Sequence, residues 1–131
     1  FRSDIEAHEF VADSLEVKYY ALELVDKRFY HLDTCFAPLD KNTALVYLPA
    51  FDVYSQQILR ETIGDLIEVP EGEALHFACN ALVVAPHVIL SAGCPETMKA
   101  LELRGFKPHT LDFSEFIKAG GSAKCLALHL G

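Results

Sequence analysis

The sequence predicts an α/β protein in which a hairpin–helix–strand unit recurs, its copies stacked in a propeller-like arrangement. Three observations carry that expectation. Apolar residues fall at helical spacing in some stretches and at strand spacing in others. Two glycines expected to end helices, Gly64 and Gly105, are offset by 41 residues, and two cysteines in similar apolar settings, Cys79 and Cys125, by 46. Two such units and a leftover strand are too few to close a ring.

Ser3 and Glu6 are spaced as a capping box ahead of Ile5, His8, Val11, Ala12 and Leu15, so residues 4–15 read as an amphipathic helix. Val17–Val25 is rich in β-formers, Asp26-Lys27-Arg28 is a polar turn, and Phe29–Phe36 resumes as a strand. Asp40-Lys41-Asn42 turns the chain into a strand over Thr43–Leu48. Asp52 caps a helix running to about Thr62, with Gly64 expected in the left-handed conformation that ends it, and Leu66–Val69 follows as a short buried strand. Phe77–Ala85 and Val88–Ser91 form a second apolar hairpin around Pro86-His87. Pro95 suits the first turn of a helix that ends at Gly105. Thr110-Leu111 closes a strand, Asp112 caps a short helix through Ile117, Gly120-Gly121 is a flexible turn, and Lys124–Leu130 reads as a final strand opened by Cys125.

Composition narrows the function. With 131 residues, 51% of them apolar and 23% charged, the chain is expected to form one soluble core. Its 11 basic and 19 acidic residues give a net charge of −8, and no basic run exceeds Lys27-Arg28, so a nucleic-acid partner is not expected. The apolar stretch Ala74–Ala92 is broken by His76, Asn80, Pro86 and His87, which argues against a membrane span. Four cysteines without a CxxC pair suggest reduced thiols and a cytoplasmic protein. The only methionine is Met98 and the chain opens on Phe1, so it is expected to be a piece whose missing units lie on a longer chain or a partner chain; its apolar strand edges are expected to favour self-association.

Two places could carry chemistry. Cys125 follows Gly120-Gly121-Ser122, a turn that lets backbone approach a ligand, and Lys124 adds positive charge. The same pattern also fits a small buried cysteine at a strand start. His31 and Asp33, two apart on an expected strand, would share one face, suited to proton transfer and cation binding or, equally, to a structural histidine beside a turn aspartate. His8, His76, His87, His109 and His129 show neither HxH nor HExxH spacing, so no metal site is expected and they read as surface or packing residues.

Three stretches carry a resemblance: Leu24 to Leu39 with its His31-Leu32-Asp33, Phe77-Ala78-Cys79-Asn80-Ala81, and Ala119 to Leu126 with Gly120-Gly121 ahead of Cys125. Together they resemble the amidinotransferase and dimethylarginine dimethylaminohydrolase superfamily, nearest its arginine-dihydrolase and dimethylaminohydrolase-like branch. The match runs from about Arg2 to Leu130, with His31 and Cys125 separated by 94 positions in the order that family uses.

The resemblance implies a pentein fold, an α/β propeller of five ββαβ units, of which residues 1–131 would be the C-terminal part of one catalytic domain holding two to three units. It implies that Cys125 attacks a guanidino carbon, that His31 is the general acid/base, and that Asp33 holds the guanidinium; no metal or organic cofactor is required. Arg2 falls where relatives place an arginine for a substrate carboxylate, and Asn80 is a candidate lining residue. The acidic residue that relatives carry upstream of the histidine motif has no counterpart here. The expected activity is hydrolysis of the guanidino group of arginine or a methylated or related arginine through a Cys125 thiouronium. An amidinotransferase and a non-catalytic pentein-fold binding module are the alternatives.

Overall fold

The computed structural model describes residues 3–128 and residue 130. Its first helix, α1, spans Ile5–Leu15. Its cap is Asp4, whose carboxylate accepts from the Glu6 N–H at 3.0 Å, rather than the expected Ser3. Only Ala12 of this helix is buried.

Two three-stranded sheets follow, with the same topology. In the first, β1 (Phe36–Pro38) runs antiparallel to β2 (Thr43–Val46), and β2 runs parallel to β3 (Asp65–Glu68). In the second, β4 (Leu82–Val84) is antiparallel to β5 (His87–Ser91), which is parallel to β6 (Lys107–Leu111). A parallel pair needs a crossover. Helix α2 (Val53–Thr62) supplies it in the first sheet and α4 (Pro95–Glu102) in the second. The expected repeat is therefore present as two ββαβ units among the described residues. Every residue of β2 is buried, as befits a central strand covered on both faces, whereas β5 alternates, with Val88 and Leu90 inside and His87 outside.

The helices form where local chemistry favours them. Asp52 caps α2 by accepting from the Ser55 N–H at 2.9 Å and the Tyr54 N–H at 3.3 Å. Pro95 opens α4, and Gly105, at φ 82°, ends it in the left-handed conformation. Between the sheets lies α3 (Glu71–Ala74), a short helix that the sequence reading left out, and α5 (Ser114–Ile117) follows β6. One apolar cluster joins both sheets and includes Phe29, Leu45, Phe51, Leu90 and Leu101. Removing each such leucine from water stabilises the fold by roughly 1.5–3 kcal/mol. Arg104, just after α4, makes a two-pronged ion pair with Asp65 at the start of β3, at 2.6 and 2.9 Å, fastening one unit to the other. No helix among the described residues is long and apolar enough to cross a membrane.

Four expectations are corrected. Val17–Val25 forms no strand; Leu22 and Leu24 pack against the core, but the segment's strand-type pairing is the isolated bridge Leu24 to Phe51, because β-formers make a strand only where a neighbour offers a ladder. Phe29–Phe36 is interrupted by a 3-10 turn over Leu32–Thr34, held by the Thr34 hydroxyl donating to the His31 carbonyl at 2.6 Å, so only Phe36 joins a strand. Of the strand expected over Lys124–Leu130, the described residues up to Leu128 form none, as the Leu126 N–H bonds back to the Ser122 carbonyl and the Ala127 N–H to that of Lys124; Cys125 and Cys79 both lie in turns. Gly64 is not left-handed. It is small because the Asn42 carboxamide occupies the space a Cβ would fill.

Candidate active site

The site is assembled from three turns. The first is the 3-10 turn, which has His31 at its cap and Asp33 inside it, so the two come from a turn rather than from one strand face. The second leaves α3 through Phe77, whose backbone is left-handed at φ 56°, and closes with the Asn80 N–H donating to the Phe77 carbonyl at 2.9 Å. The third runs from Gly120 to Cys125. Gly120 adopts φ 93° and its carbonyl accepts the Tyr30 hydroxyl. At Gly121 a Cβ would stand 2.8 Å from the Cys125 Cβ and 3.2 Å from its sulfur, so the thiol lies directly against glycine backbone.

These turns bring Cys125, Asp33 and Asn80 together. The Asn80 Nδ2 donates to Cys125 Sγ at 3.2 Å, to the Asp33 carbonyl at 3.0 Å and to Asp33 Oδ2 at 3.2 Å, while the Cys125 thiol faces Asp33 Oδ2 at 3.6 Å. The other end of the carboxamide, Oδ1, accepts the main-chain N–H groups of Ser122 at 2.8 Å and Cys125 at 3.3 Å. Asn80 is fully buried.

Asp33 also lines a cavity of about 780 Å³ together with His31, Tyr30, His8, Glu23 and Asp52. The His31 ring tilts against that of Tyr30, with centroids 4.9 Å apart. On its other side Asp33 borders a smaller cavity of about 210 Å³ shared with Lys124 and Cys79. Arg2 lies outside the described residues, as does His129.

The four thiols are all free, and only Cys125 is exposed. Burial pushes Cys35 and Cys94 up to about 12 and Cys79 well above its ordinary value, which leaves those three inert. Cys125 is also raised, first by partial burial and then by the neighbouring Asp33 charge, against which the Asn80 hydrogen bond pulls down. A cation seated beside Asp33 would relieve both penalties. The arrangement thus offers an exposed thiol whose ionisation would be favoured by positive charge in the site.

Two features escaped the sequence reading. Tyr30 ties the third turn to the first across 90 positions, and no local pattern announces such a contact. His87 and His109, scattered in sequence, meet on neighbouring strands of the second sheet, with Nδ1 and Nε2 at 2.8 Å and rings stacked. Among the described residues no group of three or more His, Cys, Asp or Glu is placed to hold a metal.

The family model for eukaryotic N,N-dimethylarginine dimethylhydrolase matches residues 1–130. The chain belongs to the dimethylarginine dimethylaminohydrolase family. This family member is 42% identical over 132 aligned residues to the bifunctional arginine dihydrolase/ornithine cyclodeaminase ArgZ of a Synechocystis strain, the match taking in 99% of the chain and 19% of that protein. It is 40% identical over 130 residues to the N(G),N(G)-dimethylarginine dimethylaminohydrolase of Mycobacterium tuberculosis, covering 99% of the chain and 43% of that enzyme.

Among solved structures it superposes on the N-terminal domain of ArgZ, a cysteine-to-serine variant with substrate bound, described as an arginine dihydrolase of the ornithine-ammonia cycle in Cyanobacteria. The TM-score is 0.94 at 42% identity, over 98% of the chain and 48% of that domain. The two ββαβ units are accordingly part of a pentein-type α/β fold, and the chain spans less than half the length of the curated relatives named here.

Proposed function

We propose that the protein containing this chain hydrolyses a C–N bond in the guanidino group of arginine or a methylated arginine, with Cys125 as nucleophile, His31 as proton carrier and Asp33 as the anchor of the cation. The observation that carries this reading is the convergence of the Cys125 sulfur and the Asp33 carboxylate, 3.6 Å apart, with Asp33 in turn lining a cavity together with His31. The kinship supports it too, since the related ArgZ domain is an arginine dihydrolase with a substrate-bound form and the mycobacterial relative is a dimethylarginine dimethylaminohydrolase.

A guanidinium is planar and cationic, so a carboxylate at Asp33 binds it by charge-assisted hydrogen bonds and fixes its plane. Its positive charge offsets the effects that keep Cys125 protonated, and the thiol proton passes to the His31 imidazole. The thiolate adds to the guanidinium carbon; a C–S bond forms as a C–N π pair moves onto nitrogen. The His31 imidazolium gives its proton to the departing nitrogen, the C–N bond breaks, and ammonia or an amine leaves. Neutral His31 next takes a proton from water, whose oxygen adds to the thiouronium carbon. Collapse breaks the C–S bond, returns the thiolate and leaves a ureido product, with the hydroxyl proton lost to solvent.

The test is turnover by the full-length protein. Release of ammonia from arginine, or of dimethylamine from dimethylarginine, is expected in the parent enzyme and absent in Cys125→Ser. Unchanged release in that variant would overturn the assignment. Which amine appears identifies the substrate.

A further inference from the structure

We propose that Asn80 is the positioning residue that sets the ionisation of Cys125, acting on the sulfur rather than on substrate; this deepens the catalytic reading above and rests on it for its purpose, not for its geometry.

The orientation of the Asn80 carboxamide is dictated by its surroundings. Main-chain N–H groups only donate, and two of them, from Ser122 and Cys125, point at one end of the amide at 2.8 and 3.3 Å. That end must be the oxygen. The opposite end is then the NH₂, and it faces three acceptors, Cys125 Sγ at 3.2 Å, Asp33 Oδ2 at 3.2 Å and the Asp33 carbonyl at 3.0 Å. A sixth bond, from the Lys124 N–H to the Asn80 carbonyl at 3.0 Å, completes the hold on the cysteine loop. With Asn80 wholly buried, its donors have nowhere else to go.

A donor aimed at sulfur favours the thiolate, a far better acceptor than the thiol. The neighbouring Asp33 carboxylate does the opposite, since a second negative charge beside it is penalised. The site needs Asp33 to bind a cation, so something must offset its effect on the sulfur. A lysine or histidinium could supply positive charge, but it would also repel the guanidinium. A neutral amide donates to the thiolate without opposing the substrate, which is the physical reason for asparagine at this position. Because Asn80 also grips Ser122 and Cys125 through their main chain, the same residue fixes where the sulfur sits.

The experiment is the pH dependence of Cys125 alkylation by iodoacetamide in the full-length protein without substrate, for the parent and Asn80→Ala. Two roles predict opposite signs. If Asn80 only braced the loop, its loss would free Cys125 into solvent and away from Asp33, and the midpoint would fall towards that of an ordinary cysteine. If it stabilises the thiolate, the midpoint rises; a rise of about one unit, hence about tenfold slower alkylation near pH 7.5, is expected. An unchanged or lowered midpoint overturns the proposal. Asn80→Ser is read in the same way and serves where the alanine variant does not fold. The measurement needs no turnover, so it stands apart from the Cys125→Ser test. Where turnover is found, Asn80→Ala should lower kcat with little change in KM, the reverse of what loss of a substrate contact would do.

Discussion

The Asp33 Oδ2 lies 3.6 Å from Cys125 Sγ although 92 positions separate the two residues. In the proposed reaction this one carboxylate would both attract the cation and restrain the thiol until that cation arrives. Asp33→Asn removes a negative charge beside the sulfur, so the midpoint of Cys125 alkylation should move down, towards a more readily formed thiolate. Substrate affinity should move the other way, with KM rising by about a hundredfold or more as the charge-assisted hydrogen bonds to the guanidinium are lost. Measuring both on one variant separates the two effects. A lowered midpoint with an unchanged KM would remove Asp33 from the cation's site.

Gly121 is fixed by the cysteine itself. An added methyl would stand 2.8 Å from the Cys125 Cβ, too close for atoms that are not bonded, so either the loop or the thiol must shift. A displacement of about 1 Å at a nucleophile costs about a hundredfold in rate, and Gly121→Ala should lower kcat by that order. Gly105→Ala is the control. Its added methyl meets nothing within 4 Å, but the left-handed backbone at φ 82° makes any side chain costly, so about 1 kcal/mol of stability should go while kcat holds. Equal losses of kcat in both variants would refute a specific contact at Gly121.

The repeat was legible because caps and breakers act locally. Asp52, Pro95 and Gly105 each do what their chemistry dictates, and the two ββαβ units fall between them. The strands at Val17–Val25 and from Lys124 onward were misread for the complementary reason: a strand needs a ladder partner, and propensity cannot say whether one is present. Local pattern made Asp33 and Cys125 candidates, and the resemblance gave them roles. Asn80 was proposed as a lining residue, yet its six hydrogen bonds to Asp33, Ser122, Lys124 and Cys125 depend on three turns folding onto one point. No periodicity encodes that convergence.

Tyr30 is the clasp between the first and third turns, its hydroxyl donating to the Gly120 carbonyl. Tyr30→Phe keeps the ring against His31 and removes that bond. A loss of about 0.5–1.5 kcal/mol is expected, a typical net value for one hydrogen bond. Its signature should be local: amide hydrogen exchange at Ser122 and Cys125 should accelerate, while exchange at Leu45 and Leu90 in the sheets slows or quickens only with global stability. Unaltered exchange in the cysteine loop would show that other contacts suffice to hold it.

Glu73 poses a different question, because a carboxylate with 6% of its surface exposed ought to weaken the core. Its oxygens are fully engaged at the start of α4: Oε1 accepts the Glu96 N–H at 2.7 Å, and Oε2 accepts the Thr97 N–H at 2.8 Å and the Thr97 hydroxyl at 2.5 Å. Those main-chain donors have no partner within the helix, so Glu73 caps α4 from a distance of more than twenty residues and ties α3 to it. Glu73→Ala leaves buried donors unpaired as well as removing the cap, and about 2–4 kcal/mol should be lost. Glu73→Gln preserves one acceptor and should lose about half as much. Asp52→Ala, which uncaps α2 at the surface, should cost only about 1 kcal/mol. Urea denaturation of the full-length variants gives the ranking directly, provided the slope m is unchanged. If Glu73→Ala proved no more destabilising than Asp52→Ala, the buried carboxylate would not be what locks the second unit to the connection that precedes it.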